Sequence, residues 1–567
     1  MLSAQNVTTW HNDNYRTGWQ QNETALTASS VNQAGFGLLW QWPVTGAVFA
    51  QPLAVANVQN VQNCPSPCNL VFISTEQNWL YAFNAASSSP TPVWSKMVAT
   101  AVNCNGLQID FEPCDSGYLG TYVGMTGTPV IDTSSNILYV VGATENSPSS
   151  IGYSLFAVDI TSGTVLASIN ISGSVNGKSP GAQAQCTSTY PAQGQVTFDY
   201  NHIQRSALLL LNGIVYVAFA PSDGEVENGW IFGYQYGSGA LNPMRIFNST
   251  PYGTGGGIWA SGAGPASDGT SIFVTTGNGT TFDYTTTPPT IIDVGDSLLK
   301  LDPTSPTLNI LDYYTPDDVF KGSGRCANDL DFGSGGVLVV PDVFYNGLNL
   351  VINADKESNV YVADRTNLGK YNPSGGNNVQ VIQTPTPPAK KGQVQGYWGS
   401  PAYWKYTSGS ATNYMLYYAA TDKTPTVAPL PINGYQLLTT GSSGPISTAG
   451  PTVNTATLFC NYSPTPSVSS YGTSAGTGVV WGIEHQNKGN PTNCPKSGDI
   501  GIAALHAFNA TTLVELYSSR SVQTTIGPPA SFQTPTVFKG QVYMGTKTEV
   551  DVFGPCSTTG PGQICLP

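Results

Sequence analysis

Charge is what this sequence has least of. Asp, Glu, Lys and Arg make up 9% of its 567 residues, against roughly a quarter in an average soluble domain. The charge present is mainly acidic, 33 carboxylates against 20 basic side chains for a net −13, so there is no basic stripe to hold nucleic acid. No apolar run approaches the roughly 18 residues of a membrane-spanning helix. Histidine is nearly absent, with four copies (His11, His202, His485 and His506) that follow no metal-binding spacing. No Cys-x-x-Cys pair occurs, which removes the usual zinc pattern and the c-type haem attachment motif. What fills the space is turn and strand chemistry: 62 Gly, 41 Pro and 29 Tyr, with abundant Thr, Ser and Asn. A chain of this length exceeds one ordinary core, so it needs several domains or a repeat.

The ten cysteines are even in number and sit in a weakly charged chain, which predicts disulfides and an oxidising, extracellular or periplasmic compartment. Short spacings pair Cys64 with Cys68, Cys104 with Cys114, and Cys556 with Cys565. Cys460 with Cys494 follows, and then Cys186 with Cys326. The first residues, MLSAQNVTTW, have neither a basic nor an apolar signal region. An exported form is therefore expected to have lost its signal peptide already.

One unit recurs along the chain: an apolar strand after Gly or Pro, a second strand ending in small residues, an aromatic-rich strand, a turn and a last strand. QPLAV, LVFIST, WLYAFNA and PVWSKM, within 51–97, form the first copy. Further copies run over 127–171, 206–247, 259–314, 335–383, 398–447 and 476–520. The eighth, 533–554, supplies only three strands (QTPTVF, QVYMGT and EVDVFG). LLWQWPV, residues 38–44, is the candidate for the fourth. Joining the first and last strands in one blade closes a ring and removes its exposed edge. A four-stranded unit of roughly 40–70 residues predicts an all-β, eight-bladed propeller over a sandwich array or a solenoid. The reading is one domain: a leader over 1–37, blades over 38–554 and a disulfide-bearing tail over 555–567. Insertions are expected at 98–124, 173–204 and 448–470.

Several segments carry a more specific signal. The opening TTWHNDNYRTGWQQNETALTASSVN, GGGIWASGAGPASDGTSIFVTTGNG over 255–279, TPDD…NDLDFGSGG and ADKESNVYVADRTNLG resemble segments of the quinoprotein alcohol dehydrogenases. The resemblance implies a pyrroloquinoline quinone (PQQ) cofactor with Ca²⁺. It implies Trp259 as the floor under the quinone, Asn278 as a calcium ligand, Asp331 as catalytic base and further calcium ligand, and Lys356 as the catalytic cation at the reactive carbonyl. SDGEVENGWIFGYQ is similar to the segment with a calcium-ligating Glu once a one-residue gap is allowed, which points to Glu225. An indole can stack on a planar quinone. Ca²⁺ takes oxygen ligands such as Asn and Glu, together with the cofactor's own. A cation pair can polarise a carbonyl toward hydride, and a carboxylate can take the alcohol proton.

Two departures stand against the resemblance. These dehydrogenases carry adjacent cysteines that form a lid over the quinone, and no adjacent pair exists here. Gly333 stands where lanthanide-using members place an extra Asp, so calcium is the metal implied. Each residue also has a structural reading: Trp259 as blade packing, Asn278–Gly279 as a hairpin turn, Asp331 as a turn cap, Lys356 as a solvated charge. His506, within ALHAFN, reads as structural, whereas His202 and Arg205 are candidates to face the channel. Two functions stay open. One is a PQQ- and Ca²⁺-dependent oxidoreductase acting on an alcohol or carbohydrate-like substrate and passing electrons to an external acceptor. The other is a non-catalytic secreted propeller that binds glycan or protein, or serves as a surface or matrix component.

Overall fold

The computed structural model describes residues 6–556 apart from 109–110, 116–119, 178–193, 222–226, 284–289, 321–323, 377–379, 384–394, 397, 420, 423–429, 449, 460–463, 487–500 and 523–525. Eight antiparallel sheets follow one another along the chain. Seven are built from consecutive strands, spanning 53–97, 130–170, 209–248, 266–315, 338–383, 402–459 and 467–518. The eighth joins Thr536–Phe538, Gln541–Gly545 and Glu549–Pro555 to Phe36–Pro43 from the other end of the chain. Leu38 lies opposite Phe553 and Pro43 opposite Glu549. Trp42 on this closing strand stacks on Phe83 of blade one, with ring centroids 4.5 Å apart. The joint is therefore packed as well as hydrogen-bonded.

The strand sequences follow from where each strand sits. A second strand is covered by a neighbouring blade on both faces, and every residue of Ile214–Pro221 is buried. An outer strand meets solvent on one face, and Val165–Asn170 alternates between half-buried and exposed. Short two-stranded ribbons decorate the ring, including Val102–Asn103 with Tyr122–Val123 and Ser174–Gly177 with Gly194–Thr197. The 448–470 segment departs from expectation. It is not an insertion: Val453–Phe459 is the outer strand of blade six and Ser467–Ser469 the inner strand of blade seven.

The leader lies inside the ring. Val7 exchanges two backbone bonds with Ala54 of blade one, each 2.8 Å. The Thr8 carbonyl accepts from Ile131 of blade two, Asn14 from Ser267 of blade four, Tyr15 from Val339 of blade five, Thr17 from Tyr403 of blade six and Gly18 from Val468 of blade seven. Arg16 donates to the Leu208 carbonyl at blade three, and Glu23 accepts from the Gly540 N–H of blade eight. The chain thus circles the channel once and satisfies the inner edge of each blade, where unpaired backbone would otherwise remain. The course needs unusual backbone: φ is positive at His11, Asn12, Arg16 and Gly18. Gly18 is obligatory because a Cβ there would stand 2.9 Å from the His11 ring.

Cys64–Cys68 and Cys104–Cys114 are bridged. Cys326 and Cys556 are also disulfide-bonded. Cys186, Cys460, Cys494 and Cys565 lie outside the described residues.

Candidate active site on the channel axis

Four loops from blades four and five meet at one end of the channel. Trp259 precedes the inner strand of blade four and Asn278 follows its second strand, Ile272–Thr275. Asp331 belongs to the long connection to blade five, and Lys356 follows Leu348–Ala354 within that blade. The centre of the arrangement is Gly277. A Cβ there would stand 2.2 Å from Asp331 Oδ1 and 2.8 Å from Trp259 Cδ1. Only glycine lets the carboxylate and the indole close on this turn.

The polar atoms form a chain. Asp331 Oδ1 accepts the Asn278 backbone N–H at 2.7 Å, and Asp331 Oδ2 pairs with Lys356 Nζ at 2.5 Å. Lys356 Nζ also donates to Asp329 Oδ1 at 2.7 Å, and Asn278 Nδ2 to the same oxygen at 3.2 Å. Lys356 is buried, and burial works against its charge. The carboxylates of Asp331 and Asp329 outweigh this and hold the ammonium protonated well above the ordinary lysine range. Its Nζ also lies 4.8 Å from the centre of the Trp398 ring. Asn278 Oδ1 is buried and accepts no hydrogen bond.

Behind this row lies a second layer that sequence reasoning missed. Asp296 is fully buried, and desolvation pushes its carboxyl up to about 8 against the opposing field of Arg325. Its Oδ1 accepts the Phe332 N–H next to Asp331. Arg325 is buried and clamps the two loops together. It donates to Asp318 and to the Leu330 carbonyl on one side, and to Asp355 and Glu357, which flank Lys356, on the other. The sequence signal was faint: a Gly-Asp turn in VGDSLL for Asp296, and the crowding of acids on both sides of Arg325 in TPDDVFKGSGRCANDLD.

The remaining candidates separate. Glu225 lies outside the described residues. His202 does not turn to the channel; its ring is held by Asp199 Oδ1 and the Asn228 carbonyl, each 3.1 Å away, within the wall of blade three. Arg205 does reach the axis, with its guanidinium 5.0 Å from the centre of the Trp259 ring. His506 is buried in blade seven between Glu484 and Glu515. Among the described residues, no group of three or more His, Cys, Asp or Glu gathers as a metal cluster.

No protein-family profile matches this sequence, and no curated protein matches it. Solved structures do. The quinohemoprotein alcohol dehydrogenase ADHIIG of Pseudomonas putida HK5 superposes over 98% of this chain and 81% of its own, at 11% identity and a TM-score of 0.54. The quinohemoprotein alcohol dehydrogenase of Comamonas testosteroni superposes over 99% of this chain and 83% of its own, at 13% identity and a TM-score of 0.52. This chain therefore has the eight-bladed propeller fold of the quinohemoprotein alcohol dehydrogenases.

Proposed function

We propose that the chain is an exported oxidoreductase that uses PQQ with Ca²⁺ to oxidise an alcohol or carbohydrate-like substrate and hands the electrons to an external acceptor. The observation that carries this reading is the buried row of Asn278, Asp331 and Lys356 against Trp259. The residues suit the absent groups in three respects. Asn278 Oδ1 is a buried oxygen with no hydrogen bond, the kind of atom a hard cation takes. Asp331 adds a carboxylate anchored by two donors, and a small protein donor set suffices where a cofactor adds its own oxygens. Lys356 is a fixed cation beside that carboxylate. When bound, the quinone would accept hydride from the alcohol carbon while Ca²⁺ polarised its carbonyl.

The chain's own residues supply the rest. Asp331, held by Lys356 and the Asn278 N–H, keeps lone pairs to accept a substrate hydroxyl proton. Lys356 keeps its charge throughout, so it steers the developing negative charge and gives up no proton. Arg325 fixes the spacing of the two loops, and burial disfavours a second negative charge on Asp296 beside Asp331. The disulfides support an oxidising compartment.

Reconstitution with PQQ and Ca²⁺, followed by an absorbance spectrum and a dye-linked alcohol assay, tests the reading. Asp331→Asn is expected to abolish turnover and retain the cofactor, whereas Trp259→Ala is expected to weaken the cofactor itself. A protein that never takes up PQQ refutes it. The second reading, a non-catalytic binding propeller, draws on one observation: Arg205 already stacks on Trp259 and takes up ring surface that a planar cofactor would use.

A further inference from the structure

Residues from blades three, four and eight meet where only the ring axis allows it. Blades four and eight lie opposite each other in an eight-membered ring, yet a Cβ on Gly262 of the blade-four loop would stand 3.2 Å from Phe532 Cβ before blade eight. Between these loops lies Arg205. Its Cζ is 5.0 Å from the centre of the Trp259 ring and 4.9 Å from that of Phe532. The guanidinium is thus clamped between two aromatic rings on the axis. Trp10 of the leader packs against Ala207, Ala260 and Ala263, two residues beyond Arg205 and one beyond Trp259. The leader therefore floors the channel next to this layer.

Arg205 is 6% exposed. Its hydrogen bond runs from Nε to the Trp259 carbonyl at 3.2 Å, and among the described residues no carboxylate lies within ion-pair distance. The contrast with the chain's other buried cations is sharp. Arg325 has Asp318, Asp355 and Glu357, Lys356 has Asp329 and Asp331, and Arg16 spends its fork on carbonyls and a hydroxyl. A buried guanidinium without a counter-charge is costly. The aromatic clamp offsets part of that cost and fixes the plane of the fork, which is the geometry that receives a planar, two-oxygen anion.

We propose that Arg205, held between Trp259 and Phe532, is the binding site for the carboxylate of a small ligand entering the channel from the end opposite the leader. A single guanidinium balances a single negative charge, which favours a carboxylate over a phosphate. The carboxylate has two possible sources, the quinone cofactor or an acidic sugar, and the inference rests on the reading above only for the first.

The test is binding, measured by calorimetry or quenching of tryptophan fluorescence, on the whole chain and its R205M and R205K variants. The probes are PQQ, galacturonate and, as the neutral twin, galactose. The expected result is that a carboxylated probe binds the unmodified protein and weakens at least about tenfold in R205M, with R205K between them and galactose unaffected. PQQ behaving this way supports both readings. Galacturonate behaving this way while PQQ does not bind supports the carboxylate site and removes the quinone. PQQ binding equally to the unmodified protein and R205M overturns the site and leaves the quinone standing, and binding of neither acid overturns the site outright. A second measurement separates ligand binding from structure. Because Arg205 lacks a counter-charge, R205M is expected to melt at or above the temperature of the unmodified protein. A clear fall would assign Arg205 to the scaffold and overturn the proposal.

Discussion

Replacing Arg16 tests whether the leader holds the ring together. The guanidinium is fully buried and makes five hydrogen bonds: Nε and Nη2 to the Pro265 carbonyl, Nη2 to the Leu208 carbonyl, and Nη1 to the Trp10 carbonyl and Thr9 Oγ1. It thereby ties the leader to blades three and four. Arg16→Met keeps most of the volume and removes every donor. The Pro265 and Trp10 carbonyls lose charged donors, and each buried acceptor left unmatched costs about 1–3 kcal/mol. Relief of the buried charge, whose guanidinium pKa burial has already lowered to about 10, offsets part of that. A net loss of about 3 kcal/mol remains. Large disulfide-bonded chains unfold irreversibly, so the assay is the rate of heat inactivation at fixed temperature. If the bonds break before the unfolding barrier, that rate rises about a hundredfold. Lys405→Ala, which removes a partly exposed pair with Asp342, serves as the control and is expected to change stability by less than about 1 kcal/mol. An Arg16→Met protein that inactivates at the unmodified rate refutes the fastening role.

Blade seven should respond to pH. His506 is buried, which opposes its charge, but Glu484 and Glu515 on either side raise its pKa above the ordinary value, and Arg520 completes the group on Glu484. A raised folded pKa contributes stability that is full below the unfolded value and is lost as pH rises through the folded one; Glu515, whose pKa the histidine lowers, works in the opposite sense at the acid end. Thermal stability is therefore expected to decline above neutral pH and His506→Gln to flatten that slope; an unchanged slope would count against the network. Gly277→Ala should displace Asp331 from the Asn278 N–H, because its Cβ would overlap Oδ1, and PQQ-loaded turnover should fall while the melting temperature moves little; full turnover would mean that the carboxylate position is unimportant. Truncation after Gly540 strips two strands from blade eight and leaves Phe36–Pro43 unpaired, so the whole ring should lose resistance to proteolysis, and a protected remainder would show that closure is dispensable.

The propeller was legible because its blades repeat a burial pattern that sequence can carry. Covered strands such as Ile214–Pro221 read as apolar runs, and an incomplete eighth copy beside a spare N-terminal strand implied closure. Blade six was misread where the pattern fails. Val453–Phe459 is VNTATLF, an outer strand rich in Thr whose alternation is shallow, and the following Ser467–Ser469 is buried with hydroxyl side chains. The leader was illegible for a different reason. Its course is set by backbone bonds to six blades, by side-chain bonds to the other two and by positive φ at polar residues, none of which leaves a periodic trace. At the site, Trp259, Asn278, Asp331 and Lys356 stood out as motif residues. Arg205 was read only as a channel-facing candidate, and Asp296 and Trp398 were not singled out, because their neighbours come from loops distant in sequence.

The distribution of charge argues that the channel end is more than scaffold. In a chain with 9% charged residues, Asp296, Arg325, Asp331, Asp355 and Lys356 are all buried and all lie between the turn before Leu298–Leu301 of blade four and the turn after Leu348–Ala354 of blade five. Paired buried charges are poor stabilisers, since apolar residues of similar volume hold a core as well or better. Other blades bury charge more sparsely, as Glu484 with His506 in blade seven or Asp551 in blade eight, and pack aromatics such as Trp42 on Phe83 or Trp404 on Tyr406. Three acids and two cations buried within one stretch hold a local field of fixed direction. Such a field is of little use to folding. It is of direct use to a ligand whose charge develops beside Asp331 and Lys356.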